Sequence, residues 1–260
     1  MLLSKCPKEF LNFSHMLSDE SSKVILKYFR SKFDVESKKD NTPVTIADRE
    51  TESLIRDMIG KKYPDHGILG EEYEEKNSET EFKWVIDPID GTRSFIAGHK
   101  DFGTLIALLQ NNKPILGIIN CPAHNERWQG SINENTLING KPTFTSKINS
   151  LADCYSFTSG LYFESNNFKA LYDNLIAKIK NYRFGGDCYM YGMLASGLIE
   201  IVVEDTLKTH DYMALVPIIE GAGGAVSDRF GKKINLNSDG SFVATCSQSI
   251  HKQVIQILNP

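Results

Sequence analysis

Hydrophobic positions along the first third of the chain repeat with helical spacing. Between residues 7 and 33, Phe10, Phe13, Met16 and Leu17 fall on one face and predict a helix. Asp40-Asn41-Thr42-Pro43 interrupts it, and a second helix is predicted from Asp48, with Leu54, Ile55, Met58 and Ile59 as its buried stripe. Tyr63-Pro64-Asp65-His66-Gly67 ends that helix. Short apolar runs follow at 68–69, 84–86, 104–109 and 115–120, each of strand length. Asn111-Asn112-Lys113 joins two of them as a hairpin loop would, 127–129 continues the meander, and Asn139-Gly140-Lys141-Pro142 marks a further turn.

After about residue 146 the pattern alternates. Helices are predicted near 168–179, 189–195, 212–221 and 250–258, and strands at 199–203, 224–227 and 242–245. The expected organisation is one body with two subdomains: 1–145, with helices over an antiparallel sheet, and 146–260, a mixed α/β layer. A cleft should lie between them.

Composition narrows the function classes. The chain has 260 residues, 41% hydrophobic and 24% charged, with a formal net charge of -4. No basic excess points to nucleic acid and no basic stripe to a membrane surface. The longest apolar runs are far too short to span a bilayer, and the N-terminal residues carry no secretory leader pattern. Five widely spaced cysteines without a CxxC pair predict a reducing, cytoplasmic setting rather than a disulfide framework or thiolate zinc site.

The candidate chemistry is acidic. Trp84-Val85-Ile86-Asp87-Pro88-Ile89-Asp90-Gly91-Thr92 begins as an apolar strand, and Pro88 should end it, since proline cannot extend a sheet ladder. Asp87 and Asp90 then turn toward one point, with the Ile89 carbonyl between them. An oxygen-only donor set of this kind suits a hard cation such as Mg²⁺. Gly91-Thr92 should open a short helix whose free N–H groups can hold phosphate. A polar turn would produce the same letters, so the rest of the chain matters. Gly70-Glu71-Glu72 puts another carboxylate after a strand, while Glu74 and Glu75 read as solvated charge. Asp48 stands at a helix start and Asp211 before the apolar helix that ends at Gly221-Ala222-Gly223-Gly224. Either aspartate could be a simple helix cap.

Together, in this order, these segments resemble the inositol monophosphatase-like, lithium-sensitive phosphatase superfamily, from about Val44 to Asp228. The resemblance implies a layered αβαβα sandwich and Mg²⁺-dependent hydrolysis of a small phosphate monoester. It implies two or three Mg²⁺ ions, replaceable by Mn²⁺. Glu71, Asp87 and the Ile89 carbonyl would hold the first ion, and Asp87, Asp90 and Asp211 the second. Two cations can stabilise both the entering and leaving oxygens of an in-line displacement. Thr92, supported by Asp48, would orient and activate water, with Glu71 also in the catalytic set; Gly91 and Thr92 would bind the phosphate. A homodimer is implied as well.

Arg183-Phe184-Gly185-Gly186-Asp187-Cys188-Tyr189, the segment 209–224 and Phe102-Gly103-Thr104-Leu105-Ile106 resemble the histidinol-phosphate phosphatase branch. That implies substrate contacts from Gly186, Asp187, Glu204 and Asp211. Carboxylates favour a cationic alcohol such as histidinol, yet they also accept hydroxyl hydrogen bonds, so inositol monophosphate or a range of sugar phosphates stays open. Asp187 as a helix cap, or Glu204 as a surface acid, would be the structural alternatives. His210 and Tyr212-Met213 depart from the branch around Asp211. Bacterial relatives that serve the RNA machinery without needing phosphatase activity are a reading of another class; the full set of carboxylates favours catalysis.

Overall fold

The computed structural model describes residues 4–37, 43–160 and 166–260. The interruption expected at Asp40-Asn41-Thr42 lies outside them. In chain order the elements are α1 (Lys8–Tyr28), β1 (Val35–Ser37), β2 (Pro43–Thr45), α2 (Ile46–Lys62), β3 (Gly67–Gly70), β4 (Phe82–Asp90), α3 (Thr92–Ile96), β5 (Gly103–Gln110), β6 (Lys113–Cys121), β7 (Glu126–Ser131), β8 (Leu137–Ile138) and β9 (Lys141–Pro142). Then come β10 (Tyr155–Thr158), α4 (Asn166–Ile176), β11 (Asn181–Phe184), α5 (Asp187–Ala195), β12 (Ile201–Glu204), α6 (Thr209–Tyr212), α7 (Leu215–Gly221), β13 (Ala225–Ser227), β14 (Phe242–Thr245) and α8 (Gln248–Leu258).

Strands β3 to β9 form a seven-stranded sheet in sequence order. It is antiparallel except where β3 runs parallel to β4. A five-stranded sheet of order β11-β10-β12-β14-β13 is mixed, with parallel pairs around β10 and antiparallel pairs around β14. Three cores stack these sheets into an αβαβα sandwich. Phe10, Phe13 and Leu17 of α1 and Ile55 and Ile59 of α2 pack on Trp84, Ile86, Ile106 and Ile118 of the first sheet. The other face of that sheet, through Val85, Leu105 and Leu109, meets Met190 and Leu194 of α5 and Leu215 and Ile218 of α7. The same cluster reaches Val202 and Ala244 of the second sheet, so both halves of the chain share one core. Ile201, Val203 and Val243 then pack against Phe168 and Tyr172 of α4 and Ile250 and Val254 of α8. Alternation along each strand sends neighbouring residues to opposite layers, which lets one strand serve two cores.

Several sequence expectations need correction. The first helix stops at Tyr28; Phe29 and Phe33 leave it to pack on Phe95 and Phe102. Met16 is 52% exposed and does not belong to the buried stripe. Pro88 does not end β4. The strand continues to Asp90, and its pairing with β5 shifts register between Asp87 and Asp90. A bulge leaves a residue outside the ladder, where the missing N–H of proline costs nothing. The helix expected at 212–221 is two helices, α6 and α7. Pro217 accounts for the break: it cannot donate to the Met213 carbonyl, and its ring would collide with it. Asp211 therefore lies inside α6 rather than ahead of a long helix. The β1–β2 hairpin and strands β10 and β11 were not anticipated, being too short or too polar to show a period.

Candidate active site

Four segments converge at the end of β4. Asp87 is 2% exposed, and its Oδ1 has no hydrogen-bond partner. Burial, followed by the nearby charges of Glu71, Asp90, Asp211 and Asp48, pushes its carboxyl well above the usual range. Asp90 is raised by burial and by Asp187 and Asp211, while the Cys188 N–H donates to its Oδ2. Asp211 is raised by burial; it accepts from the Lys208 N–H at 2.7 Å and lies 3.4 Å from His210 Nε2. Ligand atoms of Asp87, Asp90 and Asp211 all lie within 4.8 Å of one another, as do those of Glu71, Asp87 and His210. Asp87 belongs to both groups. An acidic cluster with an unpaired buried oxygen is unfavourable by itself. A hard divalent cation, which wants oxygen donors, would satisfy it.

Supports from α2 position two of the acidic segments. Glu71 follows β3 in a turn fixed by Glu52 on α2, which accepts from the Glu72 N–H at 2.7 Å and pairs with Arg56 at 2.7 Å. A Cβ at Gly70 would come within 2.0 Å of the Glu52 carboxylate, so a side chain there would displace the group that fixes the turn. Glu74 and Glu75 are exposed, as expected of solvated charge.

Asp48 is not the N-cap of α2, which is Thr45, but its partner in a capping box. It is the third residue of α2, and its Oδ2 accepts from the Thr45 N–H at 2.8 Å and the Thr45 hydroxyl at 2.6 Å. Its Oδ1 remains for Thr92, whose Oγ1 lies 3.3 Å away and 3.0 Å from the Ile89 carbonyl. Burial raises the Asp48 carboxyl, against the lowering effect of the Thr45 bonds. Gly91, at φ 82°, caps α3 and turns the chain so that Thr92 begins the helix directly after β4.

Beside this cluster is a small cavity of about 60 Å³, lined by Asp90, Asp187, Glu204, Asp211, Ser159 and Tyr191 among others. Asp187 is not a helix cap. Gly186 takes that position, and Asp187 has φ 41°, an uncommon value for a residue with a side chain. Its Oδ2 accepts from the Ser94 hydroxyl at 2.5 Å, and burial raises its carboxyl. Glu204 is a buried residue at the end of β12, not a surface acid; burial pushes it up to about 7, opposed by hydrogen bonds from Ser159. The Ser159 N–H and hydroxyl both donate to it, the latter at 2.7 Å. Gly186 does not line this cavity but the adjoining groove of about 520 Å³, with Arg93, His99 and Arg183. Glu52, Ser94 and Ser159 carry no recognisable signal in the sequence: each acts through a partner 20 to 93 residues away.

This fold and site define a phosphoric monoester hydrolase of the layered αβαβα class. The description "Inositol monophosphatase family" matches residues 7–260, and the chain belongs to that family. It is 42% identical over 258 residues to the bifunctional phosphatase IMPL2 of Arabidopsis thaliana, covering 96% of this chain and 75% of the relative. It is 39% identical over 226 residues to a histidinol-phosphatase of Chlorobaculum parvum, covering 86% and 87%. A solved inositol monophosphatase from Zymomonas mobilis superposes with a TM-score of 0.89 at 36% identity, over 97% of this chain and 98% of that one. Among the described residues, no helix is long and apolar enough to cross a membrane.

Proposed function

We propose that this chain is a Mg²⁺-dependent histidinol-phosphate phosphatase. One observation carries the choice of substrate: among the described residues, every charged side chain lining the small cavity is a carboxylate, and no lysine, arginine or histidine lines it. Asp187 and Glu204 there favour a leaving alcohol that bears an ammonium and an imidazole. A neutral polyol needs hydrogen bonds but no compensating charge. The similarity to a histidinol-phosphatase agrees with this reading.

Glu71, Asp87 and the Ile89 carbonyl would hold one ion; Asp87, Asp90 and Asp211 would hold another, with a third, weaker ion near Glu71. Bound there, the ions supply Lewis acidity toward phosphoryl oxygens and make water acidic enough to attack near neutral pH. The chain's own groups do the rest. Thr92 Oγ1 orients the attacking water and passes hydrogen-bond polarity to Asp48 Oδ1, because Asp48 Oδ2 is already committed to Thr45. The Gly91 and Thr92 N–H groups bind the phosphate. Asp187 and Glu204 orient the departing alcohol. The reading includes a homodimer in the cytoplasm, in keeping with five free, buried cysteines. It also divides the work at about residue 145, with most ion-binding groups before it and substrate contacts after it.

The test is phosphate release with Mg²⁺ from histidinol phosphate, inositol 1-phosphate and a sugar bisphosphate. Histidinol phosphate should have the highest kcat/KM, and Asp90→Asn should abolish release from all three. Asp187→Ala should cost histidinol phosphate on the order of 100-fold and inositol phosphate much less. Preference for inositol phosphate would overturn the substrate. Full activity of Asp90→Asn would overturn the site.

A further inference from the structure

His210 is the one nitrogen donor among the groups that converge on Asp87 in the described residues. It lies on α6, is 11% exposed at its side chain, and places a ring nitrogen within 4.8 Å of oxygens of both Glu71 and Asp87. The α6 backbone is fixed on both sides of it. Asp211 accepts from the Lys208 N–H, and the buried Tyr212 donates its hydroxyl to the Asn235 carbonyl at 3.1 Å. The backbone that carries the imidazole is thus held at the site by its neighbours. Asp87 Oδ1, buried and unpaired, supplies an independent indication that a ligand belongs there.

We propose that His210 is a nitrogen ligand to the ion held by Glu71 and Asp87, so that this centre has a mixed nitrogen and oxygen donor set. The inference rests on the metal-dependent reading above and refines it. Imidazole is a borderline donor that adds affinity for first-row transition ions, least for Mn²⁺, and adds little for Mg²⁺, whereas carboxylates and carbonyls suit Mg²⁺ and Mn²⁺ alike. The site therefore binds Mn²⁺ more tightly than its carboxylates alone would. The competing arrangement is an imidazolium ion-paired with Asp211, which offsets carboxylate charge without touching an ion.

The experiment uses the full chain stripped of metal and titrated with Mn²⁺. Loss of the free-ion electron paramagnetic resonance signal counts bound Mn²⁺, and electron spin echo modulation detects a coordinated imidazole ¹⁴N. The wild-type protein should bind Mn²⁺ and show ¹⁴N modulation, and His210→Gln should lose it. That variant should weaken Mn²⁺ binding at least about tenfold and Mg²⁺ binding much less, with an unchanged circular dichroism spectrum. His210→Asn is the second variant if the first is misfolded; the wild-type spectrum needs neither. Bound Mn²⁺ without ¹⁴N modulation, or modulation that survives removal of the imidazole, would overturn the role of His210 and leave the hydrolase reading intact. Failure of the wild-type chain to bind Mn²⁺ at all would instead remove both.

Discussion

Glu204 shows how much a single residue's surroundings decide. In the sequence it is an acid at the end of an apolar strand. In the fold it is buried, held by the Ser159 N–H and hydroxyl, and raised to about 7 chiefly by burial. Its charged form attracts a cationic alcohol, and that form grows as the pH rises through 7. The kcat/KM for histidinol phosphate should therefore rise across that interval, and Glu204→Gln should remove this limb and lower the plateau. A pH profile in which both proteins share the limb would assign it to another group. Asp187 makes the same point through its backbone. Its left-handed φ and its bond from Ser94 were not visible in the letters, whereas its presence in Gly185-Gly186-Asp187 was. Asp87 and Asp90 were legible because both stand at one strand end. Glu52 was not, because it reads as an ordinary helical acid.

At the level of elements, close packing places α7 and α5 against the seven-stranded sheet. A Cβ at Gly117 of β6 would lie 2.0 Å from the Ala214 carbonyl oxygen, and one at Gly130 of β7 would lie 2.4 Å from the Pro217 backbone. Gly192 of α5 lies against the Trp128 indole, where a Cβ would sit 2.7 Å from ring atoms. Ala214 precedes α7 and follows α6, which carries Asp211, so this contact also sets the position of a carboxylate of the acidic cluster. Gly117→Ala should destabilise the protein by about 1–3 kcal/mol or more, since overpacking forces backbone to move. It should also weaken Mg²⁺ activation. Denaturant unfolding and a Mg²⁺ titration check this; an unchanged midpoint would show that α7 can slide on the sheet. The apolar run at 212–221 announced a helix but neither its position on a neighbouring strand nor the break between α6 and α7 ahead of Pro217.

Across the whole molecule, three cores hold five layers, and the acidic centre lies where the shared core meets the end of β4. Burial raises the carboxyls of Asp87, Asp90 and Asp211 there. Stability from such groups is present below the ordinary aspartate range of about 4 and is lost as the pH rises through the folded-state value. Chelated protein should accordingly lose thermal stability from Asp87, Asp90 and Asp211 as the pH rises, and added Mg²⁺ should restore it. His251, buried and lowered to about 4, works the other way: its contribution is present above about 6.5 and is lost as the pH falls toward 4. Taking the Tm difference with and without Mg²⁺ at each pH cancels His251, and that difference should grow from pH 5 to pH 8. A difference independent of pH would mean that these carboxylates do not carry the metal's stabilisation. The sequence by itself determined the major helices and the long strands, since periodicity follows directly from how helices and strands expose side chains. It also determined the acidic segments, because ligand chemistry needs particular residue types. Only the tertiary structure decided which carboxylates face one another, which are held from behind, and which nitrogen joins them. Those relations depend on through-space contacts between residues far apart in the chain, and local pattern carries no record of distance.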